Sequence, residues 1–214
     1  MNPYSSNVIN YLRSTRVGRL AGLAAVAALL VPSISCTSQQ NSGTSPAYLI
    51  VSSLLAAPGA EPDKLSGNLA SDVLTKGGLF ADHATVLMEL ALKDPGSTNV
   101  PAKPTTTNFI TVTRYHVEYM RSDGKNTPGV DVPFPFDGGV TFTVNEEDGG
   151  SGTFTIVRVQ AKAEAPLQAL SAPGQPQVIS TIAIVTFFGT DQAGRAVSVR
   201  AEISVNFANW ADPA

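Results

Sequence analysis

The chain has 214 residues, of which 14 are basic and 17 acidic, and charged residues make up only 14% of it. No block of like charges and no run of Lys and Arg interleaved with aromatics occurs, which excludes the usual footprint of a nucleic-acid binder. A single cysteine excludes a disulfide within the chain, so the fold has to be held by burial. The 18 glycines and 15 prolines, among recurring Thr, Ser and Val, describe a β protein rich in turns.

At the N-terminus Arg13, Arg16 and Arg19 precede an uncharged apolar run over 20–31, and small residues then lead to Cys36. This is the pattern of an export signal. A dozen apolar residues cover roughly 18 Å as a helix against about 30 Å of hydrocarbon, so removal of 1–35 is expected rather than a retained span. Those residues hold three arginines and no acid, and their loss leaves 11 basic and 17 acidic residues in a chain long enough for one domain. Residues 37–46 are Ser, Thr, Gln, Asn, Gly and Pro without a charge, so 36–46 reads as a flexible tether.

Ser33-Ile34-Ser35-Cys36 resembles the lipobox of bacterial lipoproteins, with Ser33 where Leu is usual. The resemblance implies cleavage before Cys36, diacylglycerol on its thiol and a partner that is a membrane. Thr37, rather than Asp, after the cysteine implies the outer membrane.

Beyond the tether, 47–57 and 85–92 are short apolar runs stopped by Pro58-Gly59 and by Asp94-Pro95-Gly96, and both read as strands. Residues 71–75 are a short edge candidate. In 110–119 the apolar parity changes from Ile110 and Val112 to Tyr115, Val117 and Tyr119. In 153–163 it changes from Phe154 and Ile156 to Val157, Val159 and Ala161. Because a slip of one residue exchanges the two faces, each change predicts a bulge or a strand passing between sheets. Residues 140–144 and 153–163, joined by the acidic glycine-rich link 146–152, read as a hairpin. Residues 178–188 are apolar on both faces, which predicts a strand covered on both sides, and 196–207 alternate strictly. Between these last two, Asp191 and Gly194 are placed to cap and close a turn.

That final hairpin, with Phe187-Phe188-Gly189-Thr190-Asp191-Gln192-Ala193-Gly194, resembles the last two strands of bacterial immunoglobulin-like domains. The expected fold is all-β, an antiparallel immunoglobulin-like β-sandwich of about eight strands over 47–214. The Cys…Trp…Cys core of antibody domains is absent, and Trp210 follows the last strand.

Reactive motifs are missing: there is no His-Glu-x-x-His, no Gly-x-Ser-x-Gly, no P-loop and no dinucleotide fingerprint. No catalytic residue, metal site or cofactor is therefore assigned. The competing enzyme reading is a metal-assisted envelope hydrolase that would bring His83 and His116 together with carboxylates. A third reading is an assembly accessory that pairs a sheet edge with a client strand. The most distinctive loop, 121–139, carries aspartates that could suit calcium, although Asp before Gly is ordinary turn chemistry. Asp131, Pro133, Phe134, Pro135, Phe136 and Asp137 form its candidate contact surface for an envelope protein or glycan. The sequence thus reads as a non-enzymatic, membrane-anchored module of the cell envelope.

Overall fold

Strict alternation and β-branched content give this chain its strands, and the computed structural model describes them in residues 44–172 and 177–210. The signal segment 1–35, Cys36 and the tether up to residue 43 lie outside the described residues. Ten strands follow one another: β1 (Ala47–Ala57), β2 (Asn68–Asp72), β3 (Asp82–Leu92), β4 (Gly96–Ser97), β5 (Val100–Pro101), β6 (Ile110–Met120), β7 (Phe136–Val144), β8 (Gly150–Val157), β9 (Ile179–Asp191) and β10 (Ala196–Ala208). A short α-helix, α1 (Val159–Ala163), and a 3-10 helix over Leu167–Ser171 lie between β8 and β9. The protein is all-β.

One sheet has the order β1-β3-β8 and the other β2-β10-β9-β6-β7, with β4 and β5 forming a separate pair. All pairings are antiparallel except that of β2 with β10, which is parallel, so the larger sheet is mixed rather than purely antiparallel. The sheets share one core. Phe154 of the smaller sheet meets Phe187 of the larger edge-to-face at 5.2 Å and Tyr115 at 4.8 Å. The buried Tyr119 hydroxyl donates across the core to the carbonyl of Ile156 at 2.5 Å.

The parity change in β6 is a bulge at Thr113, where register shifts against both β7 and β9 between Val112 and Arg114. The change near Ile156 is likewise a register shift, against β3. There the expected strand over 153–163 stops: β8 ends at Val157 and the chain turns into α1. Ala161, Ala163, Gln160 and Lys162 favour a helix, and no partner strand lies beyond Val157.

The expected hairpin over 140–163 is also corrected, because β7 pairs with β6 in one sheet and β8 with β3 in the other. The link 145–149 carries the chain between layers. Glycine allows this close approach: a Cβ at Gly150 would lie 2.7 Å from the Thr143 carbonyl oxygen, and one at Gly152 would lie 2.4 Å from the Phe142 ring. The edge strand expected at 71–75 starts and ends earlier, as β2.

β9 is buried on its core face, but the other face is only partly covered, since Ile182 is 43% exposed while Ile184 is buried. The β9–β10 turn is built as expected. Asp191 accepts from the backbone N–H of Ala193 (3.0 Å) and Arg195 (2.9 Å) and from Arg195 Nε (2.7 Å), and Gly194 has φ +80°.

Ser45 is buried and accepts from the Ala47 N–H at 3.2 Å, and Pro46 accepts from the Lys93 N–H at 2.8 Å. Two residues expected in the tether are therefore held by the domain.

Candidate functional site

The two histidines do not converge. His83 is exposed on β3 while Ala84 beside it is fully buried, so His83 faces away from the core on the outside of the smaller sheet. His116 lies between the buried Tyr115 and Val117 and faces outward from the larger sheet. Its Nδ1 is 3.3 Å from Asp137 Oδ1, an oxygen that also accepts from Arg114 at 2.8 Å. The Arg114 guanidinium lies 4.0 Å from the centre of the Phe188 ring, which it partly covers. Among the described residues no group of three or more His, Cys, Asp or Glu could hold a metal ion. His83 and His116 therefore lie on the outer faces of different sheets and are not brought into one cluster.

The carboxylates of the 121–139 loop are engaged separately. Asp123 accepts from Arg121 Nε (3.1 Å) and Nη2 (2.5 Å), and that guanidinium holds its carboxyl below the usual carboxylate range. Asp131 accepts from the Thr127 N–H at 3.1 Å, while Asp137 takes Arg114 on the sheet face. Asp123 and Asp131 brace the loop, Asp137 pairs across neighbouring strands, and the three form no shared oxygen cage.

Of the candidate contact residues, Pro133 and Phe136 are buried. Phe136 belongs to β7, meets Tyr115 edge-to-face at 6.2 Å and lies 4.5 Å beneath the Arg158 guanidinium. Phe134 is 49% exposed, and its ring lies over Gly129, whose φ of +75° and lack of a Cβ admit it. Pro135 and Asp137 are exposed as well, and Asp131 is partly so.

Beside this loop runs a groove of about 700 Å³, with Gly129 and Val130 on one wall and Pro166, Ala169 and Leu170 on the other. Val178 and Ile179 complete the aliphatic part of the lining, Arg121 and Gln177 supply polar groups, and Arg121 is the only charge among the described residues. Val130 is 67% and Val178 51% exposed, high values for aliphatic side chains. A smaller hollow of about 120 Å³ lies between Pro58, Ala60, Asp72, Thr75 and Trp210.

Beneath this end of the molecule is a polar cluster that the sequence reading did not single out. Lys162 Nζ donates to Asp82 Oδ1 at 2.8 Å, with side-chain exposures of 1% and 0%. The Gly59 N–H donates to the same oxygen at 2.8 Å, and the Ser71 hydroxyl to Oδ2 at 2.5 Å. Burial pushes the Asp82 carboxyl above its ordinary value, against the opposing pull of Lys162, Ser71 and Gly59. Burial, with Asp82 nearby, also pushes the Tyr119 phenol up. Four separate segments meet here: the turn after β1, β2, the start of β3 and α1. The only sequence signals are an aspartate opening an apolar strand and a lysine between two alanines, 80 positions apart.

No family model matches the chain, and no curated protein is similar to it.

Proposed function

We propose that this chain is a lipid-anchored, extracytoplasmic lipoprotein whose domain, an immunoglobulin-like β-sandwich, binds a partner in the cell envelope without catalysing a reaction. The anchor reading rests on Arg13, Arg16, Arg19, the apolar run over 20–31 and Cys36. The sandwich reading is supported by two sheets around one core and by the Asp191–Gly194 turn of the last hairpin.

One observation carries the binding reading: chain entry and groove occupy opposite ends of β9. Ser45 helps hold the Asp191 carboxyl at the C-terminal end of β9, whereas Ile179 at its N-terminal end lines the groove. Thirteen residues at about 3.3 Å each set these ends roughly 40 Å apart. The partner that fits is a protein segment carrying both apolar and polar side chains, since the lining sets Val130, Leu170, Val178 and Ile179 beside Arg121 and Gln177.

Two experiments test this reading. Intact mass of the membrane-extracted protein should give an acylated species beginning at Cys36 that Cys36→Ala abolishes; an unmodified wild type refutes the anchor. A photocrosslinker at position 130 should capture an envelope protein, and Val178→Asp should abolish the capture. Equal capture from position 89, on the outside of the smaller sheet, refutes the groove as the binding site.

A further inference from the structure

The Asp82–Lys162 pair is sealed from solvent, with side-chain exposures of 0% and 1%, so partner binding does not account for it. Its arrangement is that of two reactants. A primary amine and a carboxyl group are held at 2.8 Å, each on a fixed element, β3 for Asp82 and α1 for Lys162. A separate donor sits on each carboxyl oxygen: the Gly59 N–H on Oδ1 and the Ser71 hydroxyl on Oδ2. Lys162 is the largest fully buried side chain of the described residues. As an ion pair it carries the full desolvation cost of both charges, which a neutral product would remove.

We propose that Lys162 and Asp82 become joined by an intramolecular isopeptide bond that the folded chain forms by itself. The proton on Nζ passes along the hydrogen bond to the carboxylate, giving a neutral amine and a carboxylic acid with no change in net charge. The Nζ lone pair then attacks Cγ. Charge gathers on Oδ2, where the Ser71 hydroxyl already points. The Cγ–Oδ1 bond breaks, and Oδ1, which holds the first proton from Nζ, takes a second from the same nitrogen and leaves as water. The balance is one carboxylic acid plus one amine giving one amide plus one water, with nothing oxidised or reduced. In bulk water such a condensation is unfavourable, but fixed neighbours react as if at effective concentrations of about 10⁵–10⁸ M. Exclusion of solvent also withholds the water that would reverse it.

The test is peptide mapping of the full-length protein after denaturation and trypsin. Between Lys76 and Lys93, and between Arg158 and Arg195, the only internal cleavage site is Lys162. The expected product is segment 77–93 joined to segment 159–195, one water lighter than their sum and uncut after Lys162. Linear 77–93 together with cleavage after Lys162 overturns the proposal on wild-type protein alone, whatever the variants do. Lys162→Met must remove the joined product, and persistence of that product would overturn the assignment. Ser71→Ala should lower the joined fraction in freshly made protein, and an unchanged fraction would overturn the stabilising role given to the Ser71 hydroxyl.

Discussion

Lys162–Asp82 and Arg114–Asp137 have the same nitrogen–oxygen distance, 2.8 Å, yet one pair is sealed, at 1% and 0% side-chain exposure, and the other open, at 52% and 56%. The difference teaches that distance does not measure what a contact contributes. In water the exposed pair exchanges solvent for partner at little gain, whereas in the interior neither group of the sealed pair has any alternative. The sealed pair also joins four segments through the other bonds of Asp82. The exposed one links neighbouring strands β6 and β7 that already pair.

Breaking the sealed pair should have the largest effect. Asp82→Ala leaves a buried ammonium, and we expect a loss of about 3–5 kcal/mol in denaturant unfolding. Asp82→Leu combined with Lys162→Met should recover most of that loss, because it leaves no charge unpaired. A double variant as unstable as Asp82→Ala would show that shape, not charge, sets the requirement.

Lys162→Met alone should give a distinctive pH profile. Burial raises the folded carboxyl above its ordinary 3.8, so the native state binds more protons than the unfolded one above that pH. Stability is then fully present below 3.8 and falls as pH rises through the raised value. A flat or rising profile in the variant would contradict the environment described for Asp82.

The turn carboxylate, Asp191, carries the opposite sign. Burial alone would raise it, but Arg195, its N–H and guanidinium, and Ser45 hold it below the ordinary value. Its contribution is present above 3.8 and is lost as pH falls through the lowered folded value. Asp191→Ala should cost about 1–3 kcal/mol and flatten the acid limb of the unfolding curve. The smallest effect is expected from Arg114→Ala, below about 1 kcal/mol and smaller still in high salt. A loss approaching that of Asp82→Ala would erase the distinction between the two pairs.

Local pattern in the sequence was enough to read the strands of the last hairpin, the capped turn and an irregularity between Val112 and Tyr115, either a bulge or a change of sheet, which the structure resolves as the bulge. These depend on period-two alternation and on turn chemistry within a few residues. Which strands become neighbours was not legible, because β8 joins β3 across more than fifty intervening residues rather than β7 beside it. The glycines at 149, 150 and 152 fit a hairpin link and a passage between layers equally well until the Thr143 backbone and the Phe142 ring are in place. α1 was missed because a five-residue helix offers little periodicity, and Val157, Val159 and Ala161 imitate a strand. The groove was half visible: the loop with Val130 and Phe134 stood out, while Pro166, Ala169 and Leu170 had no signal linking them to it. Asp82, Ser71 and Lys162 are unremarkable in sequence, and only tertiary packing brings them together.

The hold on Ser45 and Pro46 has a mechanical meaning. If the chain is held from its N-terminal side, as the proposed anchor implies, tension enters β1 at Ala47 and runs along its length toward Ala57. β1 pairs antiparallel with β3 from Ala47–Leu92 to Ala57–His83, and hydrogen bonds in such a ladder lie across the strand axis. An axial pull therefore loads the ladder in shear, many bonds sharing the force, instead of peeling them one at a time. The far end of that ladder is Asp82, where β3 begins, and a bond from there to Lys162 would tie β3 covalently to the helix that follows β8.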